Sequence, residues 1–235
     1  MKKINELKAV IFDLDDTLYP EKEFVVGGFQ AVTKYLAKRY KLKQSKIFDI
    51  LKSDFEKGIR RKNFNLLFEK LNLPEKELKE IITVYRNHKP KIKLYPDAKK
   101  ILKYLSKNKK IKFGVISDGP IKMQRNKITA LGIKNYFKVV TLSDRWGTKY
   151  RKPHKKSFKI TIKKLKVKPR EVIYVADNLQ KDFIGAKKLG ILTIRIKRKK
   201  GIYSHIKESK KNRADLTIAN LCQIKKLCLK NKLMF

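Results

Sequence analysis

Acidic residues are scarce in this chain: Asp and Glu number 21 against 62 Lys and Arg, for a formal net charge of +41 over 235 residues. A place where carboxylates gather beside apolar runs therefore needs a physical reason. Cysteine is almost absent. Cys222 and Cys228 form neither a CxxC pair nor a disulfide framework, which excludes a disulfide-stapled secreted scaffold and a thiolate zinc centre. The three histidines, His88, His154 and His205, lie far apart, show no metal spacing and read as surface residues. No run reaches the roughly 18 uncharged apolar residues of a spanning helix. The stretch Met1–Val10 carries charges throughout and has no signal-peptide core. A soluble, cytoplasmic protein with no membrane partner is expected, and the sequence says nothing of oligomeric state.

A hydrophobic fraction of 42%, with 12 Phe and 10 Tyr, is enough for a buried core and argues against disorder. The single Trp146 reads as packing. The basic excess has two readings: a nucleic-acid surface, or lysine used wherever a polar residue is needed. Lysines are scattered along the whole chain, which favours the second. On either reading the surface steers anions inward. The densest cluster, Arg195 with Lys197, Arg198, Lys199 and Lys200, reads as a solvated loop.

Short β-branched runs end in small or polar residues. Ala9–Phe12 ends at Asp13; Ile111–Ile116 at Ser117-Asp118-Gly119; Lys138–Leu142 at Ser143-Asp144; Val172–Val175 at Ala176-Asp177-Asn178. Ile191–Ile196 and Leu216–Ala219 complete six expected strands. Helical patterns fill the gaps: Pro96–Leu105, Ile121–Leu131, one opened by Pro153 through Leu165, one around Phe183–Leu189, and a last over Asn220–Asn231. This alternation predicts an α/β fold, a doubly wound, mostly parallel sheet covered on both faces. Residues 20–92 break the rhythm with helical patterns only, at Phe29–Tyr40, Ser45–Lys57, Phe64–Leu71 and Pro74–His88. They read as an all-helical cap inserted into a core of residues 1–19 and 93–235.

Ligands of doubly wound sheets bind beyond the carboxyl ends of the strands. Three polar clusters follow strands directly: Asp13-Leu14-Asp15-Asp16-Thr17-Leu18, Ser117-Asp118-Gly119, and Asp177-Asn178 with Asp182 five residues after Asp177. Several carboxylates in one place stay ionised only beside a cation or by sharing protons. Oxygen ligands without His or Cys select Mg²⁺, which in turn binds substrate phosphate oxygens.

These motifs resemble the haloacid dehalogenase (HAD) superfamily. Asp13 to Leu18 looks like its DxDxT signature, Ser117 matches its second motif, Lys152 before Pro153 its third, and Asp177 with Asp182 its acidic fourth, with Ala176 where that family most often has Gly. The four stand in the family order along nearly the whole chain, and the helical block resembles a cap inserted after the first motif.

The resemblance implies a Rossmann-like HAD core and a phosphomonoester hydrolase of small phosphorylated metabolites such as sugar phosphates or nucleotides. Asp13 would be the nucleophile, forming an aspartyl-phosphate, and Asp15 the acid and then the base. The Asp13 carboxylate, the Asp15 carbonyl and Asp177 would hold Mg²⁺, with Asp182 and Asn178 behind them. Ser117 and Lys152 would hold phosphoryl oxygens, and Asp118 with Gly119 would either offer backbone N–H groups to phosphate or form a turn. Dehalogenase members lack an acid two residues after the nucleophile, so Asp15 favours phosphate chemistry. Arg60 and Arg61 either lie in a solvated cap loop or select an anionic substrate. A phosphotransferase or mutase on this scaffold, and a nucleic-acid-binding protein keeping the fold, stay open as alternatives.

Overall fold

The computed structural model describes residues 3–4, 6–229 and 233–234, and side chains from 6 to 226. In chain order, β1 (Lys3–Ile4) and β2 (Ala9–Phe12) precede four helices, α1 (Glu21–Tyr40), α2 (Gln44–Glu56), α3 (Asn63–Lys70) and α4 (Leu78–Asn87). There follow α5 (Pro96–Ser106), β3 (Lys112–Ser117), α6 (Ile121–Ala130), β4 (Val139–Leu142), α7 (Lys156–Leu165) and β5 (Val172–Ala176). The chain continues through α8 (Phe183–Lys187), β6 (Leu192–Ile196), β7 (Leu216–Ile218), α9 (Ile224–Leu229) and β8 (Leu233–Met234). These elements form two compact units, Met1–Glu21 with Ile92–Phe235, and Lys22–Lys91.

The first unit is an α/β fold. Six strands make one all-parallel sheet in the order β4-β3-β2-β5-β6-β7. Strands covered on both faces need near-continuous apolar runs, and AVIF of β2 and VIYVA of β5 are buried at every position. On one face Ile11, Ile116 and Tyr174 pack with Phe158 and Leu165 of α7 and Phe183 of α8. Pro at the first turn starts α5, whose Ala98, Ile101, Leu102 and Leu105 form its buried stripe.

The second unit is all-helical. Its aromatic centre has Phe29 within 6.1 Å of the rings of Phe55, Phe64 and Tyr85. Arg60 and Arg61 are both exposed; Arg60 lies over the Phe55 ring at 4.0 Å and donates to the Phe55 and Ile59 carbonyls, within its own unit.

Several expectations are corrected. Pro153 does not open a helix. It follows a cis peptide in a turn, because that turn sends Lys152 inward, 5% exposed, and α7 starts at Lys156. The cluster after residue 194 is not simply a solvated loop: Arg195 is buried on β6 and pairs with Glu208 at 2.9 Å, and Arg198 pairs with Asp97 at 2.8 Å. His88 is half-buried against Phe24, 4.5 Å between ring centroids. The last helix begins at Ile224, after a tight turn capped by Asn220, and its expected end at Asn231 lies outside the described residues. Among the described residues no helix is long and apolar enough to cross a membrane.

Candidate active site

The register of the sheet sets the site. Phe12 of β2 is level with Val115 of β3 and Val175 of β5. The residues that follow these three adjacent strands therefore emerge together at their carboxyl ends. Asp13 leaves β2 with its N–H on the Val175 carbonyl at 2.9 Å, Ser117 ends β3, and Asp177 follows β5. All three are buried.

Carboxylate oxygens of Asp13, Asp177 and Asp182 lie within 4.8 Å of one another. The Lys152 ammonium, its side chain fully buried, reaches the Asp13 carboxylate, Asp182 at 2.7 Å and the Tyr174 hydroxyl at 3.1 Å. Burial works against that ammonium, but Asp13 and Asp182 outweigh it and hold its pKa well above the ordinary value. Burial pushes the Asp13 carboxyl up to about 7, against the attraction of Lys152 and with the repulsion of Asp182. Asp177 is raised well above the carboxylate range by burial, then by Asp182 and Asp13. Three crowded carboxyl groups, two of them pushed toward the protonated form, become fully ionised only beside an added cation, and all the donors are hard oxygens. This cluster fits a divalent cation of the magnesium kind.

Asp15 stands apart from that cluster. Its Oδ1 accepts from the Lys127 ammonium at 2.7 Å and from the Tyr19 hydroxyl. Burial pushes this carboxyl up, but Lys127 and Tyr19 prevail and hold it below the ordinary range. Both partners take Oδ1; among the described residues no side chain or backbone N–H is bonded to Oδ2. Asp16 is structural: it receives the N–H groups of Glu21 at 2.9 Å and Ile202 at 2.6 Å, pinning the loop.

The Ser117-Asp118-Gly119 loop is braced by neighbouring side chains. Gly119, at φ +125°, already donates its N–H to Asp144 at 3.2 Å. Asp118 is a brace: its Oδ1 accepts the Lys152 N–H at 3.3 Å. Asp144 also receives a two-pronged contact from Arg151 at 2.7 and 2.6 Å, so Arg151 is spoken for and Lys152 alone of that basic run enters the carboxylate cluster. Asn178 supports the loop after β5, giving its N–H to Asp182 at 3.0 Å and accepting that of Gln180 at 2.9 Å.

Lys127, Tyr19 and Tyr174 escape sequence reasoning. A signal for Lys127 existed: on α6 it shares a face with Gln124, Ile128 and Leu131, while Lys122 and Arg125 are exposed. In so basic a chain one lysine among many does not stand out.

A family model described as haloacid dehalogenase-like hydrolase matches residues 10–196, which takes in every cluster above. The chain belongs to the haloacid dehalogenase-like hydrolases. A glyceraldehyde 3-phosphate phosphatase of Methanocaldococcus jannaschii is 34% identical over 225 residues, covering 93% of this HAD-like chain and 95% of that protein. One of Pyrococcus furiosus is 30% identical, covering 94% and 92%. The crystal structure of a HAD phosphatase from Thermococcus onnurineus superimposes with a TM-score of 0.64 at 28% identity, covering 96% of this chain and 99% of that one.

Proposed function

We propose that this HAD-like enzyme is a divalent-cation-dependent phosphatase that hydrolyses a small phosphorylated triose, with glyceraldehyde 3-phosphate as the first candidate. The single observation that carries the chemistry is the buried meeting of Asp13, Asp177, Asp182 and Lys152 at adjacent strand ends. The candidate substrate rests on relatives 30–34% identical over most of this chain that bear that name.

Asp13 is the nucleophile: its oxygen attacks phosphorus, the ester oxygen leaves, and an aspartyl-phosphate remains on the carboxylate. Lys152, seated against Asp13, places a positive charge where transferring oxygens gain negative charge. Ser117, at the end of β3, contributes its hydroxyl to the same oxygens. Asp15 moves the protons through Oδ2, while Lys127 and Tyr19 hold Oδ1 in place. Arrival of a phosphate dianion raises its pKa, which favours the protonated form that gives a proton to the leaving alcohol. The ionised form then takes a proton from the water that attacks the aspartyl-phosphate. Asp13, the Asp15 carbonyl and Asp177 would hold Mg²⁺, with Asp182 and Asn178 supporting them; when bound it offsets the repulsion between carboxylate and phosphate. Substrate selection is assigned to the helical unit of residues 22–91, with Arg61 among its exposed cations.

Phosphate release from glyceraldehyde 3-phosphate, phosphoserine and pyrophosphate tests this reading, in wild type and Asp13→Asn, with Mg²⁺ and with chelator. Glyceraldehyde 3-phosphate should give the highest kcat/KM, and Asp13→Asn or chelator should each remove at least 99% of the rate. Hydrolysis that persists in Asp13→Asn, or in chelator, overturns the assignment.

A further inference from the structure

A cavity of about 400 Å³ lies at the outer edge of the sheet, between α6, the edge strand β4 and the turn Ser143–Trp146 that follows it. That volume falls within the range of small-molecule sites. Its floor is apolar, with Ile128 buried, Leu142 and the chain's only Trp, Trp146, partly covered, and Val140 37% exposed. Four cations line it, Arg125, Lys134, Arg145 and Lys164, and no carboxylate does. None of the four has an acidic partner within ion-pair distance among the described residues. Trp146, read from the sequence as packing, is partly covered and lines this pocket.

The surroundings sharpen the charge. The unit that holds the cavity has 13 Asp and Glu against 44 Lys and Arg. Of those carboxylates only Glu6 and Glu208 are exposed, and each is paired, with Lys8 and Arg195. The others are wholly or partly buried, several in the catalytic cluster, so they do little to offset the cations at this rim. Cations around a concave apolar wall focus a positive field inside it. The complementary ligand is anionic at one end and planar and apolar at the other, so that it can lie against an indole and reach several ammonium and guanidinium groups.

We propose that this cavity is a binding site for a nucleoside phosphate, separate from the catalytic cluster and coupled to it. The base lies on the Trp146 side and the phosphates meet the four cations. The coupling follows from shared walls. The helix that offers Arg125 and Ile128 to the cavity also carries Lys127, which pairs with Asp15, and Gln124, which donates to the Asp118 carbonyl. The turn that offers Arg145 and Trp146 also carries Asp144, which holds the Gly119 N–H and Arg151. A ligand in the cavity thus presses on the two elements that position Asp15 and the 117–119 loop.

Because Trp146 is the only tryptophan, its fluorescence reports on this cavity alone. The probes are ATP, AMP, adenosine and tripolyphosphate, added to the full chain without Mg²⁺ at about 0.15 M salt, where loose surface attraction is screened. ATP or AMP should shift Trp146 emission saturably, with adenosine and tripolyphosphate each at least tenfold weaker. The double variant Arg125→Ala/Arg145→Ala should lose at least tenfold in affinity, while Lys210→Glu, a charge change on a distant exposed loop, should bind as wild type. Binding that is unsaturable, equally tight in the double variant, or weakened as much by Lys210→Glu overturns the site; tripolyphosphate binding as well as ATP overturns the nucleoside part. AMP should change the KM for the hydrolysed ester at least twofold in wild type and not in the double variant. Saturable binding without that change overturns the coupling and leaves the site. The fluorescence result stands whether or not the hydrolysis reading does.

Discussion

Lys127 and Asp15, 112 positions apart in the chain, meet in an ion pair of 2.7 Å in which the lysine side chain is 2% exposed and the carboxylate 16%. A lysine this deeply covered is stable only if paired. The pair fixes one oxygen of Asp15 and leaves the other for proton transfer. It also ties α6 to the loop after β2, two elements that no short-range sequence pattern links.

Removing that cation while keeping its stem tests the pair. Lys127→Met should lower kcat at least tenfold with KM changed less. Asp15 would lose the cation that holds its carboxyl low, so the acid limb of the pH–rate profile should move to higher pH. Because the carboxylate keeps some solvent, the stability loss should stay near 1–3 kcal/mol rather than reach the larger cost of orphaning a fully buried charge. An unshifted acid limb in steady-state kinetics would sink the role given to this pair.

Gly185 matters for what is beside it. A Cβ there would meet the Pro153 carbonyl oxygen at 2.3 Å, a backbone atom that cannot swing aside. Gly185→Ala must displace the turn that carries Lys152. Overpacking of this kind costs about 1–3 kcal/mol. Activity should fall at least tenfold at a temperature where the variant remains folded by circular dichroism. Wild-type kcat in a folded variant would show that the Lys152 turn tolerates the shift.

Glu21 links stability to pH. Burial, then Asp15, pushes its carboxyl from 4.5 up to about 8, so the folded state favours the protonated form. Between those pH values the folded state binds more protons than the unfolded one, and this group's contribution declines as pH rises. Glu21→Gln removes that penalty. Its thermal midpoint relative to wild type should be higher at pH 8.5 than at pH 5; equal differences at both would rule the linkage out.

Arg61 is one of many exposed cations of the helical unit, next to an Arg60 stacked on Phe55. If it meets an anionic substrate, Arg61→Ala should raise KM about three- to tenfold with kcat held, and Arg60→Ala should act mainly on stability. Initial-rate kinetics on the preferred ester decide it, and an unchanged KM removes Arg61 from substrate selection.

The amino-acid sequence by itself determined the architecture of this protein. Parallel strands covered on both faces demand unbroken apolar runs, and those runs appear as AVIF and VIYVA, each stopped by an aspartate. In a chain so poor in acids, carboxylates after three strands mark one sheet edge without any coordinates. Tertiary structure alone decided which groups pair. Lys127 is one of many lysines until packing buries it against Asp15, and packing sets Lys152 against both Asp13 and Asp182. Sequence leaves open where the Gly119 N–H and the Asp118 carboxylate are directed; the structure gives them to Asp144 and to the Lys152 N–H. The walls of the Trp146 cavity come from four segments whose meeting no local pattern encodes. Periodicity reads the burial of a whole element, because neighbours in sequence share it. The partner of a single charged side chain depends on distant segments brought together by packing, and only the folded chain supplies that.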